Sequence, residues 1–326
     1  MLRLPKATLC LLASLLTWAC GTGLWAEPSA VFAQGDPSSI AQEEGDKGEK
    51  SDAGRFLRIR RDAAGEPVAL ETAVVRYVPA SGEGELVVDL IACVHVAQPS
   101  YYNRLNKRLE QYDVVLYELV APHGTRIPRG GTRDSLNPLV LLQVMTESAL
   151  ELQSQTEHID YMQENFVHAD MSPDDMAKAM RERGDDGVTL FLSATADMMR
   201  QHNLRELERQ KSGRPEAEAE PLDPLALLFD PNRAVKLKRM LAEQFDDLGS
   251  TGLGNTLDTL LIKDRNEAAM RVFQTELAKG RKRIAILYGA GHMADFEARL
   301  LSDFGLKRDR TEWLSAWNLR ERGPAR

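Results

Sequence analysis

Cysteine is scarce in this 326-residue chain: three residues, Cys10, Cys20 and Cys93. If an N-terminal leader is removed, Cys93 stands alone and no intramolecular disulfide is available. The fold must then be held by its core or by a bound ion. Aromatic residues make up 6 %, too few for a platform that stacks single-stranded bases. No stripe of arginine and lysine with interleaved aromatics occurs, and 41 basic against 49 acidic residues give a formal charge of −8, so nucleic acid is not expected as a partner. No short repeat is visible. What is present, 43 % hydrophobic and 28 % charged residues, suffices for one large domain or two small ones with a sizeable core.

The N-terminus has the layout of a secretory signal. Arg3 and Lys6 precede a mostly apolar run over 9–18, too short for a comfortable membrane span, and small residues follow. This predicts a signal peptide over 1–33, ending at Val31-Phe32-Ala33, with Leu24-Trp25-Ala26 as a second cleavage site. The expected location is periplasmic or extracellular. Thr17-Trp18-Ala19-Cys20 loosely resembles a lipoprotein box, so membrane contact is expected only through the signal segment or through lipidation at Cys20. Residues 34–55 lack apolar periodicity and read as a disordered tether.

Residues 56–62, 68–79 and 85–95 read as three strands of an antiparallel meander, separated by turn-rich segments at 63–67 and 80–84. In the third, Leu86, Val88, Leu90, Ala92 and Val94 share one face, and Val87, Asp89, Ile91, Cys93 and His95 the other; two largely apolar faces predict a central strand. Ser100 reads as an N-cap for a helix carrying Tyr102, Leu105, Leu109 and Tyr112 at helical spacing. With the strand over 113–120 this makes a βαβ unit and implies parallel pairing. A polar loop at 121–138 leaves that strand end. The stretch from about 139 to 280 reads as a mainly helical insert, with a helix start at Ser172-Pro173-Asp174-Asp175, an exposed linker at 210–224 and a long helix over 256–279 stopped by Gly280. A strand at 284–288, a helix at 293–304 and a last strand at 310–317 complete the chain. The expected fold is therefore a single α/β domain over 56–326: a central mixed sheet with an antiparallel N-terminal meander, a βαβ unit, a large helical middle and a C-terminal strand-helix-strand.

Two histidines stand at matched places. Ala92-Cys93-Val94-His95 and Gly289-Ala290-Gly291-His292 each put an imidazole three residues after a small residue, at the exit of an apolar run. Open α/β sheets place ligands at such carboxyl ends, and a small residue lets the backbone bend and a ligand approach. Glu118 is the one charge inside Val114-Val115-Leu116-Tyr117-Glu118-Leu119-Val120; a lone carboxylate in a buried run needs a pair or a cation. His95, Glu118 and His292 are read together as one site. Asp89 shares a strand face with His95, and either orients that imidazole or faces a helix cap. Arg265 falls on the apolar stripe of Leu257, Leu261, Ala268 and Val272 and needs an acidic partner; Asn266 beside it is placed to bond a loop. His123, His158 and His202 read as surface residues and His168 as structural. Gly289 to Ala294 also fits G-x-G-x-x-A, but too little chain follows for a dinucleotide fold.

Taken in order, Ala92-Cys93-Val94-His95, Tyr117-Glu118-Leu119, Asp264-Arg265-Asn266 on a long helix and Gly289-Ala290-Gly291-His292 resemble the motifs of the TraB/GumN family. That family includes the Tiki metalloproteases and is distantly related to ChaN-like and erythromycin-esterase-like proteins. The resemblance covers most of 56–317. Ala92 stands where the first motif normally has glycine, and Ala294-Asp295 where a glycine often follows the second. The resemblance implies an α/β fold and a divalent-cation site, manganese or cobalt, built from His95, Glu118 and His292 with Arg265 nearby. It also implies an exported metal-dependent hydrolase, peptidase-like, acting on a peptide or small-molecule substrate. Whether Glu118 or Asp89 acts as ligand or base stays open. Two alternatives stand beside it: an exported haem- or metal-binding protein without turnover, and a member whose site has decayed, as Ala92 suggests.

Overall fold

A computed structural model of the protein describes residues 55–122, 124–125, 127, 147–184, 230–251 and 262–321. The predicted signal peptide, nearly all of the tether, the 210–224 linker, most of the 121–138 loop, His123 and His202 lie outside the described residues. Strands β1 (Leu57–Arg61), β2 (Pro67–Pro79), β3 (Val87–Cys93) and β4 (Val96–Ala97) precede helix α1 (Pro99–Leu109). Strands β5 (Val114–Tyr117) and β6 (Gln153–Ser154), a helical turn at Gln155–His158, and strand β7 (Phe166–His168) follow. Helices α2 (Pro173–Arg183), α3 (Arg233–Thr251) and α4 (Asp264–Ala278) lead to strand β8 (Arg283–Gly289), a 3-10 turn (Ala290–His292), helix α5 (Met293–Ser302) and strand β9 (Leu306–Asn318).

The sheet is mixed, as predicted. β2 pairs antiparallel with β1 along its first half and with β3 along its second, while β9 runs antiparallel along its other edge. Beyond β3 the strands are parallel, in the order β3-β8-β5-β7. The βαβ unit therefore differs from the simplest reading: β3 and β5 run the same way, but β8, from 170 residues further along, lies between them. Four carboxyl ends, at Cys93, Gly289, Tyr117 and His168, consequently open on one edge of the sheet.

Alternation along the strands divides the core into two layers. Leu70, Val74, Ile91, Cys93, Val115 and Leu287 pack with Tyr101, Tyr102, Leu105 and Leu109 of α1, and Leu237 and Leu241 of α3 pack against them. On the other face Val75, Leu90, Ala92, Leu116, Ile286 and Tyr288 pack with Ala269 and Phe273 of α4 and Phe296 and Leu300 of α5. Each central strand is buried on both faces, which explains its nearly continuous apolar sequence.

Several local expectations need correction. The third strand ends at Cys93, because Val96 pairs with Ser154 and carries the chain into a separate small sheet. The cap of α1 is Gln98 rather than Ser100: Pro99, which has no N–H to satisfy, takes the first helical position. Within the mainly helical middle of the chain, two short strands not foreseen, β6 and β7, also occur, and β7 joins the main sheet. On α4 the buried stripe is Arg265, Asn266, Ala269, Met270, Phe273 and Glu276, one residue displaced from the predicted one. Ser172 caps α2 as expected, in a reciprocal pair of bonds with Asp175. Gly280, at φ 83°, closes the turn after α4 in the left-handed conformation. Among the described residues, no helix is long and apolar enough to cross a membrane.

Candidate active site at the carboxyl edge of the sheet

Glu118 leaves β5 at the sheet edge, with its side chain 12 % exposed. Its Oε2 accepts the Gly289 N–H at 2.7 Å, so the exit of β5 is tied to that of β8. A Cβ at Gly289 would lie 3.3 Å from that oxygen, too close for comfort; here glycine permits a close approach. Oε1 receives Arg265 Nη2 at 2.7 Å and lies 3.5 Å from His292 Nε2.

Arg265 reaches the edge from the first turn of α4. It grips Asp170, just past β7, with both Nε (2.9 Å) and Nη2 (2.6 Å). Its Nη1 lies 3.4 Å from His292 Nε2. Asp170 in turn accepts the backbone N–H groups of Leu119 and Met171 at 2.9 and 2.8 Å. The carboxylate of Asp170 is 0 % exposed and the Arg265 side chain 9 %. Among the described residues, Glu118 and Asp170 set two carboxylates against the one Arg265 guanidinium, a formal charge of −1 for these three groups.

His292 ends the 3-10 turn that follows β8 and is buried. Asn266 holds it at two points: Nδ2 donates to the His292 carbonyl at 2.9 Å, and Oδ1 lies 2.7 Å from His292 Nδ1. Nδ2 also donates to Asp295 Oδ2 at 2.9 Å. His95 sits two residues past β3, half-buried. Its carbonyl accepts the Gln155 N–H at 2.8 Å, while its ring makes no hydrogen bond among the described residues.

Electrostatics binds the cluster together. Burial alone would push the Glu118 carboxyl up; Arg265, then His292 and His95, outweigh it and hold it well below the usual carboxylate range. Burial pushes the His95 imidazole below its ordinary value, with Glu118 opposing and Arg265 and His292 adding. Burial disfavours the charged form of Arg265, but Glu118 and Asp170 more than offset it. His95, Glu118, Arg265 and His292 thus feel one another, although β3, β5, α4 and β8 supply them separately.

The remaining predicted residues are placed as follows. Asp89 is remote from His95: six residues earlier on the strand, roughly 20 Å at strand rise, it takes Arg76 Nε and Nη2 at 2.8 Å each and the Tyr112 hydroxyl at 2.5 Å. It serves the opposite end of the sheet and neither orients an imidazole nor caps a helix. Ala92 is fully buried within β3, next to Tyr288 on β8. A Cβ at Gly291 would meet only Ile262, at an ordinary 3.9 Å. His168 accepts a structural role, its Nε2 2.5 Å from the Leu119 carbonyl. His158 is half-buried rather than at the surface, packed on Tyr102. Sequence reasoning missed Asp170, Tyr288, whose hydroxyl bonds the Ala169 carbonyl, and Asp295. A weaker signal for Asp170 existed: it follows the short, partly apolar stretch Phe166-Val167-His168-Ala169.

The donor types, two imidazoles and a carboxylate in a cluster short of positive charge, suit a divalent cation. Among the described residues, however, no group of three or more His, Cys, Asp or Glu is arranged to hold a metal ion. The Arg265 guanidinium instead spans Glu118 Oε1 and His292 Nε2. Compared with protein-family models, with curated proteins and with solved structures, the chain matches none.

Proposed function

We propose that this chain is an exported metal-dependent hydrolase of the TraB/GumN type, peptidase-like in substrate class, with its reaction centre at His95, Glu118 and His292. One observation carries the reading. An imidazole nitrogen and a carboxylate oxygen, His292 Nε2 and Glu118 Oε1, face each other at 3.5 Å inside a buried cluster of formal charge −1. Buried negative charge without a counter-charge is costly, so a cation has a physical reason to enter. His95, Glu118 and His292 would hold it; manganese or cobalt is the expected ion, and bound there it would acidify a water and polarise a carbonyl oxygen.

The chain's own groups do the rest. Asn266 fixes the ring of His292, and Gly289 and Arg265 fix the Glu118 carboxylate. His95, whose imidazole burial pushes below its ordinary value, is held in the neutral form that a ligand to a cation needs. Nη1 of Arg265, on the His292 side, is the donor assigned to developing negative charge on the substrate. A second reading, a non-catalytic ion-paired site, is favoured by the same guanidinium, which already bridges Glu118 and His292.

Chelator-stripped protein on a peptide library, with manganese or cobalt added back, separates the two. The hydrolase reading expects metal-restored cleavage, stoichiometric metal by elemental analysis, and loss of both in His95→Ala and His292→Ala. Cleavage that survives both substitutions removes it; no cleavage together with no stoichiometric metal establishes the ion-paired site.

A further inference from the structure

Asp295 lies outside the expected ligand set, yet it controls one member of it. It stands in the first turn of α5, three residues after His292, 22 % exposed. Asn266 Nδ2 donates to Asp295 Oδ2 and to the His292 carbonyl, both at 2.9 Å. Both partners are acceptors only, so this end of the amide is the nitrogen and the other is the oxygen. That oxygen lies 2.7 Å from His292 Nδ1. A carbonyl oxygen can only accept, so Nδ1 carries a proton; Arg265 Nη1, which can only donate, lies 3.4 Å from Nε2, so the lone pair is there. Turned over, the amide would press its oxygen against a carboxylate and a carbonyl, and its NH2 would favour the Nε2–H form.

We propose that Asp295 is a positioning residue: acting through Asn266, it fixes His292 in the Nδ1–H tautomer and keeps the Nε2 lone pair at the edge of the ring that meets Arg265 Nη1. The purpose of that lock rests on the hydrolase reading, since Nε2 can meet a cation only while unprotonated. The geometry of the lock does not rest on it. An ordinary helix role competes: an acid in the first turn of α5, paired with Arg299 four residues on at 2.7 Å, stabilises a helix whatever its neighbours do. The two roles separate on the tautomer, which a purely helical role would not move.

The experiment is long-range 1H–15N correlation on the chelated full chain, with 15N-labelled histidine. Wild-type His292 is expected as Nδ1–H. Asp295→Ala is expected to raise the Nε2–H share about tenfold, through loss of one charge-assisted bond to Asn266. Asp295→Asn, whose amide oxygen can still accept from Asn266, is expected to restore the wild-type ratio, and Arg299→Ala to leave it unchanged. Should Asp295→Ala not fold, Asp295→Ser, suited to a helix start but too short to reach Asn266, must give the same rise. A wild-type Nε2–H form, or an unchanged ratio in both the alanine and serine variants, overturns the proposal. Hydrolysis is assayed apart from this: its absence sinks the enzyme reading and leaves the tautomer result standing.

Discussion

Replacing Arg265 with leucine tests the centre of the structure. The substitution removes two bonds to Asp170 and one to Glu118, and orphans both buried carboxylates at once. Breaking a buried pair from one side costs about 3–5 kcal/mol. An independent bound comes from protonation. An orphaned carboxylate can always escape its charge by taking a proton, which costs roughly 4 kcal/mol at pH 7 for a group that ordinarily titrates near 4. Backbone donors remain for each: Leu119 and Met171 for Asp170, Gly289 for Glu118. The expected loss is therefore about 4 kcal/mol at pH 7, or roughly 6–7 °C in Tm for a chain of this size. The sign of its pH dependence follows. In the variant, burial of the Glu118 carboxyl is no longer outweighed by Arg265 and pushes it up, so the folded form binds more protons and gains relative stability as pH falls. The gap to wild type should shrink by about 1.4 kcal/mol per pH unit per protonated group. Urea melts of both proteins at pH 7, 6 and 5 measure this, and adding Asp170→Asn to the leucine variant should return at least half the loss. A deficit below about 1 kcal/mol at pH 7, or one of equal size at pH 5, would refute the view that this ion-pair cluster holds the strand ends together.

Other consequences are separately measurable. Gly289→Ala puts a Cβ 3.3 Å from Glu118 Oε2 and should displace it from the Gly289 N–H, costing about 1–2 kcal/mol; Gly291→Ala, with 3.9 Å to Ile262, should be near neutral, and equal melting points for the two would count against the close approach. In wild type, His95 and Glu118 both have folded pKa values below their unfolded ones, so the stability they contribute is complete above about pH 6.5 and about 4.3 respectively and is lost as pH falls further. Tm should accordingly drop from pH 7 to pH 4, and His95→Gln should flatten the upper part of that slope; a Tm that rises on acidification contradicts the assignment. Burial pushes the Cys93 thiol up to about 12, so iodoacetamide at pH 8 should modify it only after unfolding, as peptide mass spectrometry would reveal.

Much of this was legible one residue at a time. His95 and His292 stood out because each closes an apolar run, Glu118 because it is the one charge inside such a run, and alternation along 85–95 assigned Leu90 and Ile91 to opposite layers correctly. Arg265 stood out as a charge on a helix's apolar stripe, although the stripe's register was one residue off. Asp89 carried the same signal as Glu118 and was misread, because burial of a charge announces a partner without naming it. Its partner, Arg76, sits opposite it on β2.

The linear sequence, then, determined which side chains must be inside and which strand ends bring polar groups to the core, since periodicity and burial are local properties. Strand order was decided only by the tertiary structure. The placement of β8 between β3 and β5 delivers His292 between the exits that carry His95 and Glu118, and the pairing of β7 with β5 brings Asp170 to Arg265. Those pairings join residues 50 to 200 positions apart, and backbone hydrogen bonding is the same for every strand. Nothing in a run of valines and isoleucines says which other run it will lie beside; the joint packing of two core layers does.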